Sequence, residues 1–187
     1  MNFWRPITAA LALALGAGEA AAQAQAPKPP AAGTLPMPSD PAQTTASYGD
    51  WVLRCVRTGD KGPRACEVVQ TMVLQGQQQP VAQVAVGYDK NDLRLTLLLP
   101  PAVSFSRVPT LGVAGAADPR FDLTWRRCLP TGCFADVNTA GELLKLLRSR
   151  SEPMQITFKD AGERDGSLPF SLRGLVPALD ALAKEPR

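Results

Sequence analysis

The sequence predicts a mainly β fold, an antiparallel β-sandwich-like domain with two short helices in its C-terminal half. Apolar and polar side chains alternate along several segments, which is the pattern of strands that bury one face. Residues typical of turns separate these segments, and only two stretches have the apolar spacing of a helix. Strands with dispersed turns and few helices are typical of antiparallel sheets packed around one core.

The clearest strand is a run in which four leucines, from Leu93 to Leu99, alternate with other residues. The loop at residues 88–92 joins this run to a weaker one over Ala82 to Tyr88, so the two predict a hairpin. A second hairpin is predicted around residues 59–63. The other predicted strands are Trp51 to Arg57, Ala65 to Leu74, Phe121 to Trp125, Met154 to Phe158 and Leu168 to Arg173.

Two helices are predicted between the later strands. Residues 139–142 have the sequence of a capping box, in which the Thr139 and Glu142 side chains satisfy amides of the first turn. The stripe expected to face the core comprises Leu143, Leu144 and Leu147. The second helix is predicted from Val176 to Lys184, and its core-facing residues are Leu175, Leu179 and Leu182.

The N-terminus is predicted to be a signal peptide, residues 1–22. Arg5 precedes an uncharged run of mostly alanine and leucine, which is too short to cross a membrane because a spanning helix needs about 20 apolar residues. Small side chains favour cleavage after Ala22, with Ala24 and Ala26 as alternative sites. An N-terminal helix of the folded domain is a weaker alternative, because this run has no polar face.

Residues 23–47 are predicted to be a Pro/Ala-rich disordered linker. The segment has six prolines and only two large apolar side chains, Leu35 and Met37. Such a composition buries too little apolar surface to offset the entropy of an ordered chain. The β domain is therefore predicted to occupy residues 48–187.

The chain of 187 residues contains no histidine. This composition excludes Ser-His-Asp and Cys-His catalysis and histidine-ligated zinc. The formal net charge of +3 is too small to indicate a nucleic-acid-binding protein. No cofactor and no metal are expected.

Four cysteines, Cys55, Cys66, Cys128 and Cys133, follow the predicted signal peptide. An even number of cysteines in an exported chain predicts disulfides. Cys55 and Cys66 flank the turn of the predicted hairpin, and Cys128 and Cys133 enclose a tight turn, so both bridges are expected to be local. A zinc site built from all four thiolates is the alternative, but the spacings fit it poorly.

Five short motifs lie along the predicted domain. They are Trp51-x3-Cys55, Cys66-x3-Gln70, Leu111-Gly112-Val113, Cys128-x3-Gly132-Cys133-x-Ala135 and Ser171-Leu172-Arg173-Gly174. Together they resemble the invasion-associated locus B family over about Tyr48 to Leu182. The resemblance implies an exported, β-rich bacterial protein that is associated with host-cell invasion. It implies no catalytic residues in this sequence.

The motif residues are expected to have structural roles. Trp51 and Trp125 are predicted to be core aromatics, Gly132 and Gly174 to supply turn or cap geometry, and Gln70 to bond to the backbone. The chain is accordingly expected to be a non-enzymatic binding module of the envelope or the medium, periplasmic or secreted, without a transmembrane segment in its mature form.

The candidate binding residues form a basic segment, in which Lys145 accompanies five arginines: Arg120, Arg126, Arg127, Arg148 and Arg150. A concentration of positive charge favours an anionic partner. The partner is expected to belong to the envelope or to a host surface. The alternative function is that of a periplasmic enzyme acting on cell-wall glycan through a pair of carboxylates.

Overall fold

The computed structural model describes residues 41–57, 59, 62–73, 76, 78–117 and 119–186. The predicted signal peptide and residues 23–40 of the predicted linker lie outside these ranges. Within them the protein is mainly β, with two antiparallel sheets and two helices in an open sandwich-like arrangement. The predicted fold class is confirmed.

The larger sheet has seven strands in the order β1-β2-β3-β4-β5-β9-β8, and every pairing is antiparallel. The first five strands form a meander because each pairs with the next one along the chain. The bounds of the seven are β1 Gln43–Tyr48, β2 Trp51–Arg57, β3 Arg64–Val73, β4 Pro80–Asp89, β5 Asp92–Leu99, β8 Thr124–Leu129 and β9 Gly132–Asn138.

The smaller sheet has four strands in the order β11-β10-β6-β7, again all antiparallel. Its strands come from two separate parts of the chain, since β6 and β7 precede β8 whereas β10 and β11 follow β9. Their bounds are β6 Thr110–Val113, β7 Arg120–Asp122, β10 Met154–Lys159 and β11 Asp165–Phe170.

The two sheets and both helices share one core. The alternation along β5 places Leu95, Leu97 and Leu99 fully inside, as predicted, whereas Leu93, the first leucine of the predicted run, is only partly buried. Strand β10 contributes Met154 and Ile156. The Trp51 ring meets Phe170 of the small sheet edge to face, with ring centroids 6.2 Å apart, a favoured geometry for aromatic pairs. The large sheet buries one face, and the other face is open to solvent and carries charged side chains such as Arg54 and Glu67.

The helices are α1, Gly141–Ser149, and α2, Leu175–Leu182. In α2 the predicted residues Leu175, Leu179 and Leu182 are buried. In α1 the buried residues are Leu143, Leu146 and Leu147, so Leu146 takes the place predicted for Leu144. Neither helix, within the described chain, is long and apolar enough to cross a membrane.

The predicted capping box at residues 139–142 is not formed. Ala140 is the N-cap of α1 and makes no side-chain cap bond. The Thr139 amide instead donates to the Leu93 carbonyl oxygen at 2.7 Å. This bond continues the pairing of β9 with β5 by one residue, and it leaves the Thr139 hydroxyl buried without a hydrogen-bond partner among the described residues.

Two predicted boundaries are wrong. The predicted linker was expected to extend to Ser47, but Gln43 to Ser47 belong to β1, which pairs with β2 over six residue pairs. The predicted strand from Phe121 to Trp125 is divided between two sheets, because β7 ends at Asp122 in the small sheet and β8 begins at Thr124 in the large one. Leu123, fully buried, is the point of crossing.

Candidate binding site

Gln70 joins the two sheets through a reciprocal pair of hydrogen bonds to Ser171. Its Oε1 accepts from the Ser171 amide at 2.8 Å, and its Nε2 donates to the Ser171 carbonyl oxygen at 3.2 Å and to the Asp50 carbonyl oxygen at 3.3 Å. The side chain therefore pairs with Ser171 as a neighbouring strand would. Gln70 is only 7% exposed, so the burial of this amide is matched by three bonds.

Trp51 also bonds to Ser171, and an ion pair between Asp50 and Arg173 lies beside it. Trp51 Nε1 donates to the Ser171 carbonyl oxygen at 2.9 Å. Arg173 Nε donates to the Asp50 carboxylate at 3.0 Å, and the Asp50 amide donates to the Arg173 carbonyl oxygen at 3.1 Å. The hydrogen bond from the Arg173 guanidinium, and to a smaller extent that from the Ser171 side chain, holds the pKa of the Asp50 carboxyl below its ordinary value. We call Asp50, Trp51, Gln70, Ser171 and Arg173 the latch.

Gly174 completes the latch through backbone geometry. It has φ of +89° and is the N-cap of α2. A Cβ at this position would overlap the carbonyl oxygen of Tyr48 at the end of β1. The predicted cap role of Gly174 is confirmed, and only glycine combines this left-handed backbone with so close an approach.

A groove with a volume of about 540 Å³ opens beside the latch. One side is formed by the end of β3 and the start of β4, and the other by β11. The lining is largely apolar, with Met72, Val81, Leu168 and Phe170 as its main side chains. The polar atoms of Gln70 at its end already bond to the backbone.

The predicted basic segment lies in two places. Arg148 and Arg150 are at the end of α1, and Arg120 is on β7. Arg148 pairs with Asp180 of α2 at 2.8 Å, and Arg120 Nε donates to the Ala117 carbonyl oxygen at 2.7 Å. Arg150 and Lys145 line one shallow depression, which places these two cations on a common side.

Arg126 and Arg127 lie on the edge strand β8, on the open side of the large sheet. Arg126 makes two bonds to the Asp136 carboxylate, at 2.8 and 2.9 Å, and Arg94 contacts the same carboxylate at 2.6 Å. This bonding to Asp136 raises the pKa of Arg126. Arg127 instead lies over the Phe134 ring, 5.5 Å from its centroid, and makes no ion pair with the other described residues.

An aromatic pair, of which Phe105 is exposed and Trp125 is partly buried, lies at the same edge of the large sheet. Phe105 is 57% exposed and packs on Trp125, with ring centroids 4.8 Å apart and ring planes tilted by 60°. Trp125 Nε1 donates to the Arg107 carbonyl oxygen at 3.2 Å. Edge strand β8 therefore carries Trp125, with Phe105 packed on it, on one side and Arg126 and Arg127 on the other. We call these five residues the β8 surface.

Sequence reasoning missed Phe105 and Arg107. The available signal was the composition of residues 100–109, in which one phenylalanine stands among prolines and serines, because an aromatic residue in such a loop has no strand or helix to bury it. Trp51 is a core aromatic as predicted, whereas Trp125 is only partly buried and belongs to the β8 surface.

Both predicted disulfides are present. Cys55 pairs with Cys66 across the β2–β3 hairpin, and Cys128 pairs with Cys133 across the β8–β9 hairpin. Gly132, in the second hairpin, has φ of +145°, and a Cβ there would overlap the Leu99 carbonyl oxygen. The predicted turn role of Gly132 is thus confirmed.

Comparisons with known proteins agree with the motifs. The family model described as invasion associated locus B (IalB) protein matches residues 51–183. Invasion protein B homologs from Brucella abortus strains 2308 and 9-941 are each 27% identical over 152 residues, covering 81% of this chain and 84% of the relative. A crystal structure of invasion associated protein B from Bartonella henselae is 22% identical, with a TM-score of 0.63 over 75% of this chain and 95% of that one. The matched residues include four of the five latch residues and both disulfides, and the chain belongs to the invasion associated locus B family.

Proposed function

We propose that the protein is an exported, non-enzymatic binding module that binds an anionic carbohydrate polymer through the β8 surface. The observation that carries this proposal is that one edge strand combines an exposed Phe105 ring, packed on Trp125, with Arg127, a cation lacking a carboxylate partner among the described residues. Aromatic faces pack on the apolar faces of sugar rings, and guanidinium groups bind carboxylate, sulfate or phosphate in a forked geometry.

The remaining polar groups support a binding role over a catalytic one. The latch side chains Gln70 and Trp51 bond to backbone atoms, and Asp50 is paired with Arg173. Arg126 and Arg148 are also paired with carboxylates. Of the five arginines predicted from the sequence, Arg127 is the one that shares strand β8 with Trp125 and makes no ion pair to a described residue.

Export of the chain is part of the same proposal. It is supported by the predicted signal peptide and by two disulfides, which persist in oxidising compartments. We expect the mature chain to begin at Gln23, Gln25 or Pro27, and to be periplasmic or secreted. N-terminal sequencing of protein recovered outside the cytoplasm tests this, and a chain that still begins at Met1 would contradict it.

The anionic polymer has two possible sources, the bacterial envelope and a host surface. The relatives are named for invasion, and a host-surface polymer is accordingly included. Binding should be measured to immobilised heparin, a host-type polymer, and to lipopolysaccharide, with neutral dextran as the uncharged control. We expect binding to one of the anionic polymers, weakening with salt as screened charge contacts do, and no binding to dextran.

Variants then locate the surface. Arg127→Gln and Phe105→Ala should each weaken binding several-fold without changing thermal stability, since both side chains are exposed. Lys184→Gln, at the end of α2, is the matched control because it removes the same charge elsewhere. Equal losses in Arg127→Gln and Lys184→Gln would show that only net charge matters and would reject the β8 surface. An absence of binding to both anionic polymers would reject the proposed ligand class.

A further inference from the structure

Three of the four edge strands in the described sheets carry features that keep an edge from pairing with another chain. Strand β8 has a register shift between Trp125 and Arg127 and carries two arginines. Strand β7 has only three residues, two of them charged. Strand β11 begins at Asp165 and contains Pro169. Short length, charge, proline and bulges are the usual protection of such edges.

Strand β1, at the other edge of the large sheet, has none of these features. Its six residues, Gln-Thr-Thr-Ala-Ser-Tyr, include no charge and no proline. It pairs with β2 over six residue pairs without a register shift, and no described strand pairs with its other side. Four of its six side chains are exposed. A flat, uncharged edge of this kind is a template for a further strand.

The register shows which backbone groups of β1 face the free edge. The Arg57 amide donates to the Ala42 carbonyl oxygen at 2.8 Å, so these two residues form a hydrogen-bonded pair. Bonded and non-bonded pairs alternate along an antiparallel ladder, and every second residue after Ala42 therefore bonds to β2. The residues between them turn their amides and carbonyl oxygens to the free edge, and these are Gln43, Thr45 and Ser47.

We infer that β1 is a self-association edge, at which a second copy of this chain adds its own β1 in antiparallel orientation. The two-fold axis runs between the two Thr45 residues, perpendicular to the sheet. Thr45 then pairs with Thr45 of the second copy, and Gln43 pairs with Ser47, so that all edge-facing amides and carbonyls of these residues are bonded. A register shifted by two residues would leave one of the three without a strand residue opposite it. This inference does not rest on carbohydrate binding or on the β8 surface.

Symmetry and charge favour a second copy as the occupant. The edge-facing residues are evenly spaced about Thr45, so the edge is complementary to itself, as a two-fold interface requires. The neighbour of Thr45 on β2 is Arg54, which is paired with Glu67 at 2.6 Å. Because the charge of this arginine is compensated within each copy, two copies can approach at Thr45 without repulsion between their Arg54 side chains.

The association is expected to be weak. Contact through one strand edge is small beside the roughly 1,200 Å² that stable, specific interfaces bury, and the backbone bonds must offset the freedom that two molecules lose on association. We therefore expect a monomer–dimer equilibrium with a dissociation constant between about 10 μM and about 1 mM. Sedimentation equilibrium of the oxidised mature chain, up to about 1 mM, measures it. A chain that stays monomeric throughout would overturn the inference.

Two variants locate the contact. In Thr45→Pro, proline removes an amide that faces the free edge and leaves the bonds of β1 to β2 in place, the position at which edge strands tolerate proline. We expect the dimer to weaken by at least about tenfold, with little change in melting temperature. Thr45→Lys should weaken it as well, because two lysines meet directly opposite each other, and salt should restore part of the loss.

The matched control is Thr131→Lys, which adds the same charge in the exposed turn between β8 and β9 and should leave the dimer unchanged. Equal weakening by Thr131→Lys and Thr45→Lys, or a dimer that both Thr45 variants leave intact, would place the contact elsewhere and overturn the inference. Hydrogen exchange identifies the occupant of the edge. We expect protection of the Thr45 amide to rise with protein concentration. Protection that is independent of concentration would show that the chain covers its own edge, and would reject the second copy.

Discussion

Gln70 and Ser171 are 101 residues apart in the chain, and they bond to each other as two strands of a sheet do, through one accepted and one donated hydrogen bond. Gln70 belongs to β3 of the large sheet, and Ser171 directly follows β11 of the small one. The side-chain amide thereby bonds β3 of the large sheet to the residue that follows β11 of the small one.

Replacing Gln70 by leucine should destabilise the protein by about 1–3 kcal/mol, because the partly buried Ser171 amide would lose its acceptor. Urea unfolding measures the loss. Gln83→Leu is the matched control, since Gln83 is on the open face and its amide donates to Thr71 at 3.3 Å, and it should cost much less. Equal losses for the two variants would show that Gln70 acts only by its volume.

Replacing Gly174 by alanine should cost more than about 3 kcal/mol, beyond the usual range for one substitution, because the new Cβ meets the Tyr48 carbonyl oxygen. The control is Gly115→Ala. Gly115 also has positive φ, at +78°, but a Cβ added there would have no described atom within 4 Å, so only the backbone cost of about 1–2 kcal/mol applies. Melting temperatures of the two variants check the difference, and similar values would contradict the close contact.

Thr139→Val should stabilise the protein by about 1 kcal/mol. The hydroxyl of Thr139 is buried without a partner among the described residues, and valine removes this desolvated group at nearly the same shape. Thr157→Val is the control, because the Thr157 hydroxyl bonds to that of Thr110, and its loss should destabilise. If Thr139→Val instead destabilised the protein, as loss of a helix cap does, the result would support the capping box that the sequence predicts.

Acid should weaken the latch through Asp50. The pKa of Asp50 is lower in the folded protein than its ordinary value, chiefly because its carboxylate bonds to Arg173. The ionised carboxylate therefore contributes its full stabilisation at pH values above the ordinary pKa. This contribution is lost as the pH falls through the lowered pKa of the folded state. Urea midpoints from about pH 7 to about pH 3 should fall more steeply for the native protein than for Asp50→Asn. Parallel curves would show that Asp50 does not stabilise the fold.

The strands that could be predicted from the sequence are those that bury a face of large aliphatic side chains. The leucines of β5 and the apolar residues of β10 alternate without interruption, so their buried faces are evident. The strand β1 could not be predicted in this way. Its sequence, Gln-Thr-Thr-Ala-Ser-Tyr, lies at the edge of the sheet with little buried surface, and its pairing depends on backbone bonds to β2.

The crossing of the chain from one sheet to the other at Leu123 could not be predicted from the sequence for a different reason. Phe121, Leu123 and Trp125 all contact the core, and the alternation continues although the chain changes sheets, since both sheets face the same interior. Of the site, the bonding of Gln70 to backbone could be predicted, but its partner could not. No local pattern relates a glutamine to a serine so far along the chain.

The division of the small sheet between two parts of the chain has a consequence for the order of folding. The strands β1 to β5 pair in sequence order, so this meander can form from residues up to Leu99 alone. Its interior face is covered only by Ile156, Phe170 and Leu179, which belong to β10, β11 and α2, the last elements of the described chain. We therefore expect a chain truncated before Met154 to carry a formed but uncovered sheet, the species most prone to aggregate or to need a chaperone.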